Sequence, residues 1–342
     1  MNEDLGVFML FTNLRSFGFL KFKHRKQYEF KKTFLSLVFL CTILNLNNLC
    51  AKEKQRKISF EQLMGGTPWQ PKNEKLRLHD AKFMKEQYFQ GIKQLQKKPI
   101  NSIPKKIHFI WLGPKPFSEN AIHNLKSWQK FHPNWEINFW TDRERQIPFS
   151  GIRMRYLDEF DFERTKSYID NSNNWSEKSD LIRMMILIKE GGIYTDHDVV
   201  CLRKFDNFIS HFDFIAGCES MHNLLELDSA FLTCTGVIIS RPDHPIIKAT
   251  IEEALKNWKK AEAQYPGNDK NNTFKRVILR VFVPFVLCSK KYLCSDASNS
   301  IILPTCYFHG YQAFSDQKLK KLHNKGFVYA FHQFNNSWIP DI

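Results

Sequence analysis

Two carboxylates stand one residue apart in Gly191-Gly192-Ile193-Tyr194-Thr195-Asp196-His197-Asp198-Val199-Val200, just past a short apolar stretch. Read as the end of a strand, this stretch sends Asp196 and Asp198 to the same side by alternation. Two hard oxygen donors on one side suit a divalent cation. Upstream, Ser179-Asp180-Leu181-Ile182-Arg183 reads as the start of a helix, with Asp180 and Arg183 sharing one face. A carboxylate and a guanidinium so placed can grip sugar hydroxyls through charge-assisted hydrogen bonds. A cation beside them offsets the negative charge on a departing diphosphate. The combination implies a metal-dependent enzyme acting on a diphosphate-linked donor. Taken singly, each residue has a plainer reading: the aspartates could cap a loop, and Asp180 could merely complement a helix dipole.

These residues need elements to hold them. Ile107 to Leu112 reads as a buried strand, and Ser118 as the cap of a helix whose apolar face is Ala121, Ile122, Leu125, Trp128 and Phe131. Pro133 ends that helix, and Ile137 to Thr141 is the next strand, followed by Asp142. This is a β-α-β unit. A second unit runs through a helix Asp180–Glu190, the Gly191-Gly192 break and the strand into Asp196. Phe212–Ala216 and Val237–Ser240 read as further strands. His244–Ala261 and Phe274–Leu293 read as helices, the latter kinked or split at Pro284. Ligands of an open α/β sheet bind at strand carboxyl ends, where Trp111-Leu112-Gly113, Asp142 and the Asp196/Asp198 pair all fall.

The 342 residues are 43% hydrophobic, enough for one large core with additions. The net charge of +15 is unevenly placed. Residues 1–106 hold 21 Lys and Arg against 8 Asp and Glu, whereas residues 107–342 hold 29 against 27. A near-neutral C-terminal region argues against a nucleic-acid partner. The basic N-terminal third instead fits a site beside an anionic membrane surface. Six Lys and Arg between Lys21 and Lys32 precede the apolar run Phe34 to Leu46, the grammar of a signal or membrane-anchor segment. The expected division is a basic and hydrophobic segment over 1–51, a Lys-rich stem or accessory helical region over 52–102, and a catalytic domain over 103–342. The expected localisation is membrane-associated or secreted. None of the eight cysteines forms a C-x-x-C pair, so the pairs that build a zinc ribbon are absent and buried free thiols are expected. His108, His309 and His323 read as structural.

Five motifs in order carry a family resemblance: Ile103-Pro104-Lys105-Lys106-Ile107-His108-Phe109-Ile110-Trp111-Leu112-Gly113, Ser127-Trp128, Trp140-Thr141-Asp142, Ser179-Asp180-x-x-Arg183 and Gly191-Gly192-Ile193-Tyr194-x-Asp196-x-Asp198. The chain resembles the DXD sugar-binding glycosyltransferases of family 32. That group includes fungal initiating α-mannosyltransferases and inositol-phosphoceramide mannosyltransferases, and is related more distantly to the glucosylating domains of large clostridial toxins. The resemblance implies a GT-A-type, nucleotide-sugar-binding Rossmann-like mixed α/β sheet flanked by helices. It also implies Mn²⁺ (or Mg²⁺), a nucleotide-diphosphate sugar donor, and retention of configuration on transfer to a glycan, glycolipid or protein acceptor.

Residue by residue, Trp111 matches the aromatic stacking on the donor base, and Asp180 and Arg183 match groups holding the donor sugar. Asp196 matches a carboxylate contacting ribose, sugar or metal, and Asp198 the direct metal ligand. Tyr194 reads mainly as packing and secondarily as a donor contact. Phe331 to Trp338 resembles the family's closing His…Ser-Trp segment. There His332 is the first choice to complete the metal shell, Ser337 or Asn335 are competitors, and Trp338 covers the leaving diphosphate. His197, inside the metal motif, is expected to point to the opposite face of the strand.

Overall fold

A computed structural model describes residues 58–65, 74–219, 232–267, 269–293, 299–310 and 314–335. The expected signal or anchor run, Ser337 and Trp338 lie outside them. Among the described residues no helix is long and apolar enough to cross a membrane.

The first elements are a capped helical turn, α1 (Phe60–Leu63), and a long helix, α2 (Glu74–Lys93). Then come β1 (Lys106–Trp111), α3 (Glu119–Phe131), β2 (Glu136–Thr141) and β3 (Ile152–Tyr156). The middle of the chain forms α4 (Lys166–Asn171), α5 (Trp175–Glu190), β4 (Gly192–Thr195), β5 (Val199–Cys201) and α6 (Asp206–Ile209). Next are β6 (Phe214–Cys218), β7 (Thr233–Ser240), α7 (Pro245–Gln264), α8 (Lys270–Val277) and α9 (Val283–Leu293). The last are β8 (Ser300–Leu303), α10 (Asp316–Asn324) and β9 (Ala330–His332). Phe60, Leu63, Met84 and Tyr88 are buried in the same core as the sheet, so the Lys-rich region contributes apolar packing from α1 onward.

Seven strands form one mixed sheet in the order β3-β2-β1-β4-β7-β6-β8. Only β7 runs antiparallel to its neighbours. This is the mixed α/β sheet flanked by helices expected from the sequence. The chain leaves β1 for β2 on one side and returns to β4 on the other, which opens a crevice at their carboxyl ends. Antiparallel β7 brings its own beginning, Thr233 to Gly236, to that same edge. A separate ribbon pairs β5 with β9.

One expectation needs correction. Helix α5 begins at Trp175, not at Ser179-Asp180. The Asn174 side chain accepts the backbone N–H groups of Ser176 and Glu177 and so caps the helix earlier. Asp180 therefore sits well inside the helix, where a dipole role does not apply. The helix expected over Phe274–Leu293, kinked or split at Pro284, runs from α8 through a π-helical stretch at Ile278–Phe282 into α9, so its irregularity falls just ahead of Pro284 as expected. The Ser118 cap behaves as expected, its hydroxyl accepting the Ala121 N–H.

Candidate active site

Asp196 and Asp198 are not on a strand. β4 stops at Thr195 and a turn carries the chain into β5. The turn is held by Asp196 N–H donating to Gly236 O and Val199 N–H donating to Asp196 O. The two carboxylates converge because the turn folds them together, not through strand alternation. Helix α3 fixes the turn from behind: Asn124 donates to His197 O, Trp128 Nε1 to Val199 O, and Ser127 Oγ accepts the Cys201 N–H. The Ser127-Trp128 motif thus acts through the backbone it anchors.

The β5–β9 ribbon sets Val199 opposite His332, and Gln333 N–H donates to Asp198 O. His332 Nε2 consequently lies 3.2 Å from Asp198 Oδ1 and 4.0 Å from Asp196 Oδ2. Asn335 reaches the cluster too, but through its backbone N–H, 2.8 Å from Asp198 Oδ2. One ligand atom from each of Asp196, Asp198 and His332 falls within a 4.8 Å cluster. Two carboxylates and one imidazole are a fitting donor set for Mn²⁺ or Mg²⁺. Burial opposes ionisation of Asp198, but the hydrogen bond and charge of His332, His197 and the Asn335 N–H hold its carboxyl well below the usual range. Burial likewise opposes protonation of His332, yet Asp198 and Asp196 raise it above the ordinary imidazole value.

Arg183 organises the other flank. Its guanidinium lies 2.7 Å from Asp180 and 3.3 Å from Asp196, donates to Thr235 O, and sits 4.5 Å above the Tyr194 ring. Tyr194 donates a 2.6 Å hydrogen bond to Asp196 Oδ1. Burial disfavours the charge on Arg183, but Tyr194, Asp180 and Asp196 outweigh it and hold the group firmly cationic. Trp111, Asp180, Arg183, Tyr194, Asp196, Asp198 and His332 all line one cleft of about 660 Å³. Ser337 and Trp338 are outside the described residues. Trp111 donates from Nε1 to Lys115 O, and His197 packs edge-on against it with ring centroids 4.8 Å apart. His197, expected on the opposite face of a strand, instead lines the same cleft as the two carboxylates, beside Trp111. Asp142 is a brace, accepting the Gly113 N–H and pairing with Arg143.

Sequence reasoning missed four neighbours: Glu219, Cys234, Gly236 and the partnering of His309. Glu219 lines the cleft after β6, and burial pushes it up to about 7. Gly236 has a steric reason to be glycine. A Cβ there would lie 2.9 Å from His332 and 3.2 Å from Asp196 Oδ2. Gly236→Ala should displace His332 and weaken Mn²⁺ binding by about 10–100-fold while the protein stays folded. Isothermal titration of the variant checks this, and unchanged affinity would detach Gly236 from the site.

Burial holds His108 and His132 down to about 4, and lowers His197 and His309 as well. Trp140 donates to His108 Nδ1, so Nε2 carries the proton and donates to Gly191 O. These imidazoles are native when neutral. Their contribution is complete above the unfolded value near 6.5 and is lost as pH falls through the folded values. Asp180 and Glu219, carboxyls that burial pushes up to about 7, oppose them, as does His332. As pH falls from 6.5 toward 4 the histidine share, up to about 3 kcal/mol for each of His108 and His132, is lost while the two carboxyls become neutral and add stability, so the unfolding free energy of the metal-free protein should fall by less than that share. Urea unfolding across that window reads the difference, and a fall by the full histidine share would remove the burial effect at Asp180 and Glu219.

Residues 118–215 match the model of the family described as "Glycosyltransferase sugar-binding region containing DXD motif". The match includes Asp180, Arg183, Asp196 and Asp198. The chain is 31% identical over 128 residues to "Subversion of eukaryotic traffic protein A" of Legionella pneumophila, covering 33% of this chain and 20% of that protein. It is 25% identical over 244 residues to an uncharacterized glycosyltransferase of Acanthamoeba polyphaga mimivirus, covering 70% of this chain and 85% of the viral one. It is 33% identical over 110 residues to "Inositol phosphoceramide mannosyltransferase 3" of Schizosaccharomyces pombe, covering 32% and 28% respectively. The chain thus spans about a fifth of the Legionella protein and under a third of the yeast one.

Proposed function

We propose that this chain is a metal-dependent retaining glycosyltransferase that moves a hexose from a nucleotide-diphosphate sugar to a hydroxyl of a glycan, lipid or protein. The observation that carries the reading is the convergence of Asp196, Asp198 and His332 beside the Asp180–Arg183 pair in one cleft. The catalytic domain is taken as 103–342, with the run at 34–46 as its membrane or secretory segment.

In this reading Asp198, Asp196 and His332 hold Mn²⁺ or Mg²⁺, which when bound supplies positive charge for the departing diphosphate. Trp111 offers a flat apolar face for the base. Asp180 accepts sugar hydroxyl protons, and Arg183 orients both Asp180 and Asp196, so the sugar meets a pre-set carboxylate surface. Tyr194 keeps Asp196 turned toward the cleft. Mannose, from a guanosine donor, is favoured by the likeness to the yeast mannosyltransferase; glucose or galactose from uridine donors are the other outcomes of the test.

The test is donor hydrolysis by the purified chain with UDP-glucose, UDP-galactose, UDP-N-acetylglucosamine and GDP-mannose, each with Mn²⁺ or EDTA. Metal-dependent release of one nucleoside diphosphate is expected. Equal release with EDTA would overturn the metal assignment, and no binding of any donor by calorimetry would overturn the reading itself. The likeness to the Legionella protein favours a second acceptor class, host protein. Transfer of radiolabelled sugar into protein rather than lipid or glycan would select it.

A further inference from the structure

We infer that Cys234, His309 and His332 form a second metal site, for a thiophilic divalent cation of the zinc type, which shares His332 with the carboxylate cluster. One ligand atom from each of the three lies within 4.8 Å of the others, and all three side chains are buried. They come from separate parts of the chain: Cys234 from β7, His309 from the segment after β8, and His332 from β9. Backbone bonds fix both histidines, His309 N–H to Thr305 O and His332 N–H to Phe308 O.

The second observation is the state of the ring nitrogens. Neither nitrogen of His309 has a hydrogen-bond partner among the described residues, although the side chain is fully buried. The Nδ1 of His332 is also buried and unpartnered, while its Nε2 faces the carboxylates. Buried polar groups are nearly always satisfied, so three orphaned imidazole nitrogens beside a thiol call for a ligand. The fold also makes room for these rings. Gly217 leaves space where a Cβ would stand 3.1 Å from His309 Nε2, and Gly236 does the same for His332. Phe334 stacks on His332 with centroids 3.9 Å apart and covers the cluster.

Donor chemistry separates the two sites. Oxygen-rich Asp196/Asp198/His332 suits a hard cation, whereas one sulfur and two imidazoles suit zinc. Tetrahedral zinc, with bonds of about 2.3 Å to sulfur and about 2.0 Å to nitrogen, sets ligand atoms roughly 3.3–3.6 Å apart. Ligand atoms within 4.8 Å of one another need to close by no more than about 1.5 Å to reach that geometry. Cys234 and His332 line the cleft together with Glu219, so water or the Glu219 carboxylate is available as a fourth ligand. Binding through Nδ1 would place the ring proton on Nε2, which then donates to Asp198 3.2 Å away; holding a cation at both nitrogens at once would require loss of that proton to give the imidazolate. The second site does not depend on the transferase reading, because its thiol and His309 take no part in it.

The test is Co²⁺ titration of the metal-stripped full chain, read by absorbance. A near-ultraviolet thiolate-to-cobalt band is expected, displaced by Zn²⁺ and not by Mn²⁺. It should vanish in Cys234→Ser, require about 10–100-fold more Co²⁺ in His309→Asn, and persist in Asp198→Asn. Absence of the band in the wild-type chain overturns the proposal whether or not the variants fold. A band that survives Cys234→Ser, or one unaffected by His309→Asn, also overturns it. Failure of the transferase reading would show instead as absent donor binding with the cobalt band intact.

Discussion

Asp198→Asn should lower metal-dependent donor turnover by at least about 10³-fold and leave the protein folded. The carboxylate faces both His332 and the Asn335 N–H, at 3.2 Å and 2.8 Å. The amide keeps one oxygen for the Asn335 N–H, so the turn retains its backbone tie. What it loses is negative charge at the point where three potential ligands converge. His332 also loses the neighbour that raises its proton affinity. Stopped turnover assays at saturating Mn²⁺, paired with a thermal melt, measure both halves of the expectation. Turnover within a few-fold of wild type would remove Asp198 from the site, and a collapsed melt would make it structural.

Local pattern was enough to place most of the sheet. β1, α3 and β2 follow from an apolar run, a Ser118 cap and a second apolar run, because these elements take their shape from neighbours in sequence. The errors fall where a distant partner decides. Asp196 looks like a strand residue by alternation, and its N–H still bonds Gly236 O in register with β7, yet the Val199 N–H bonds back to its carbonyl and closes a turn there. Asn174 caps α5 six residues ahead of Asp180, because its side chain takes the Ser176 and Glu177 N–H groups. His332 lies 134 positions from Asp198, and only the resemblance named it; the pairing of β5 with β9 is what delivers it. Glu219, Cys234 and His309 carry no local mark at all. Each follows or sits in apolar sequence, and their meeting is a product of the strand order. A lone buried histidine is more often structural, and only three-dimensional orphaning of both His309 nitrogens changes that weighting.

Arg183→Lys tests the remaining flank. The guanidinium contacts Asp180, Asp196 and Thr235 O together while lying over Tyr194. A single ammonium keeps the charge but cannot span those directions at once. Asp180 and Asp196 would then be held by different, looser contacts, and a misplacement of about 1 Å in a substrate-orienting group costs about 10²-fold in rate. Turnover should therefore fall by about 10²-fold or more, with the loss in kcat/KM exceeding any loss in Mn²⁺ affinity. Removing the cation altogether, in Arg183→Ala, strands a buried carboxylate and should cost about 3–5 kcal/mol of stability, which separates packing from orientation. Urea unfolding compares the two variants, and donor kinetics of the folded Lys variant carries the functional half. A Lys variant with wild-type kcat/KM would show that charge alone suffices, and the role of Arg183 in orienting the two carboxylates would fall with it.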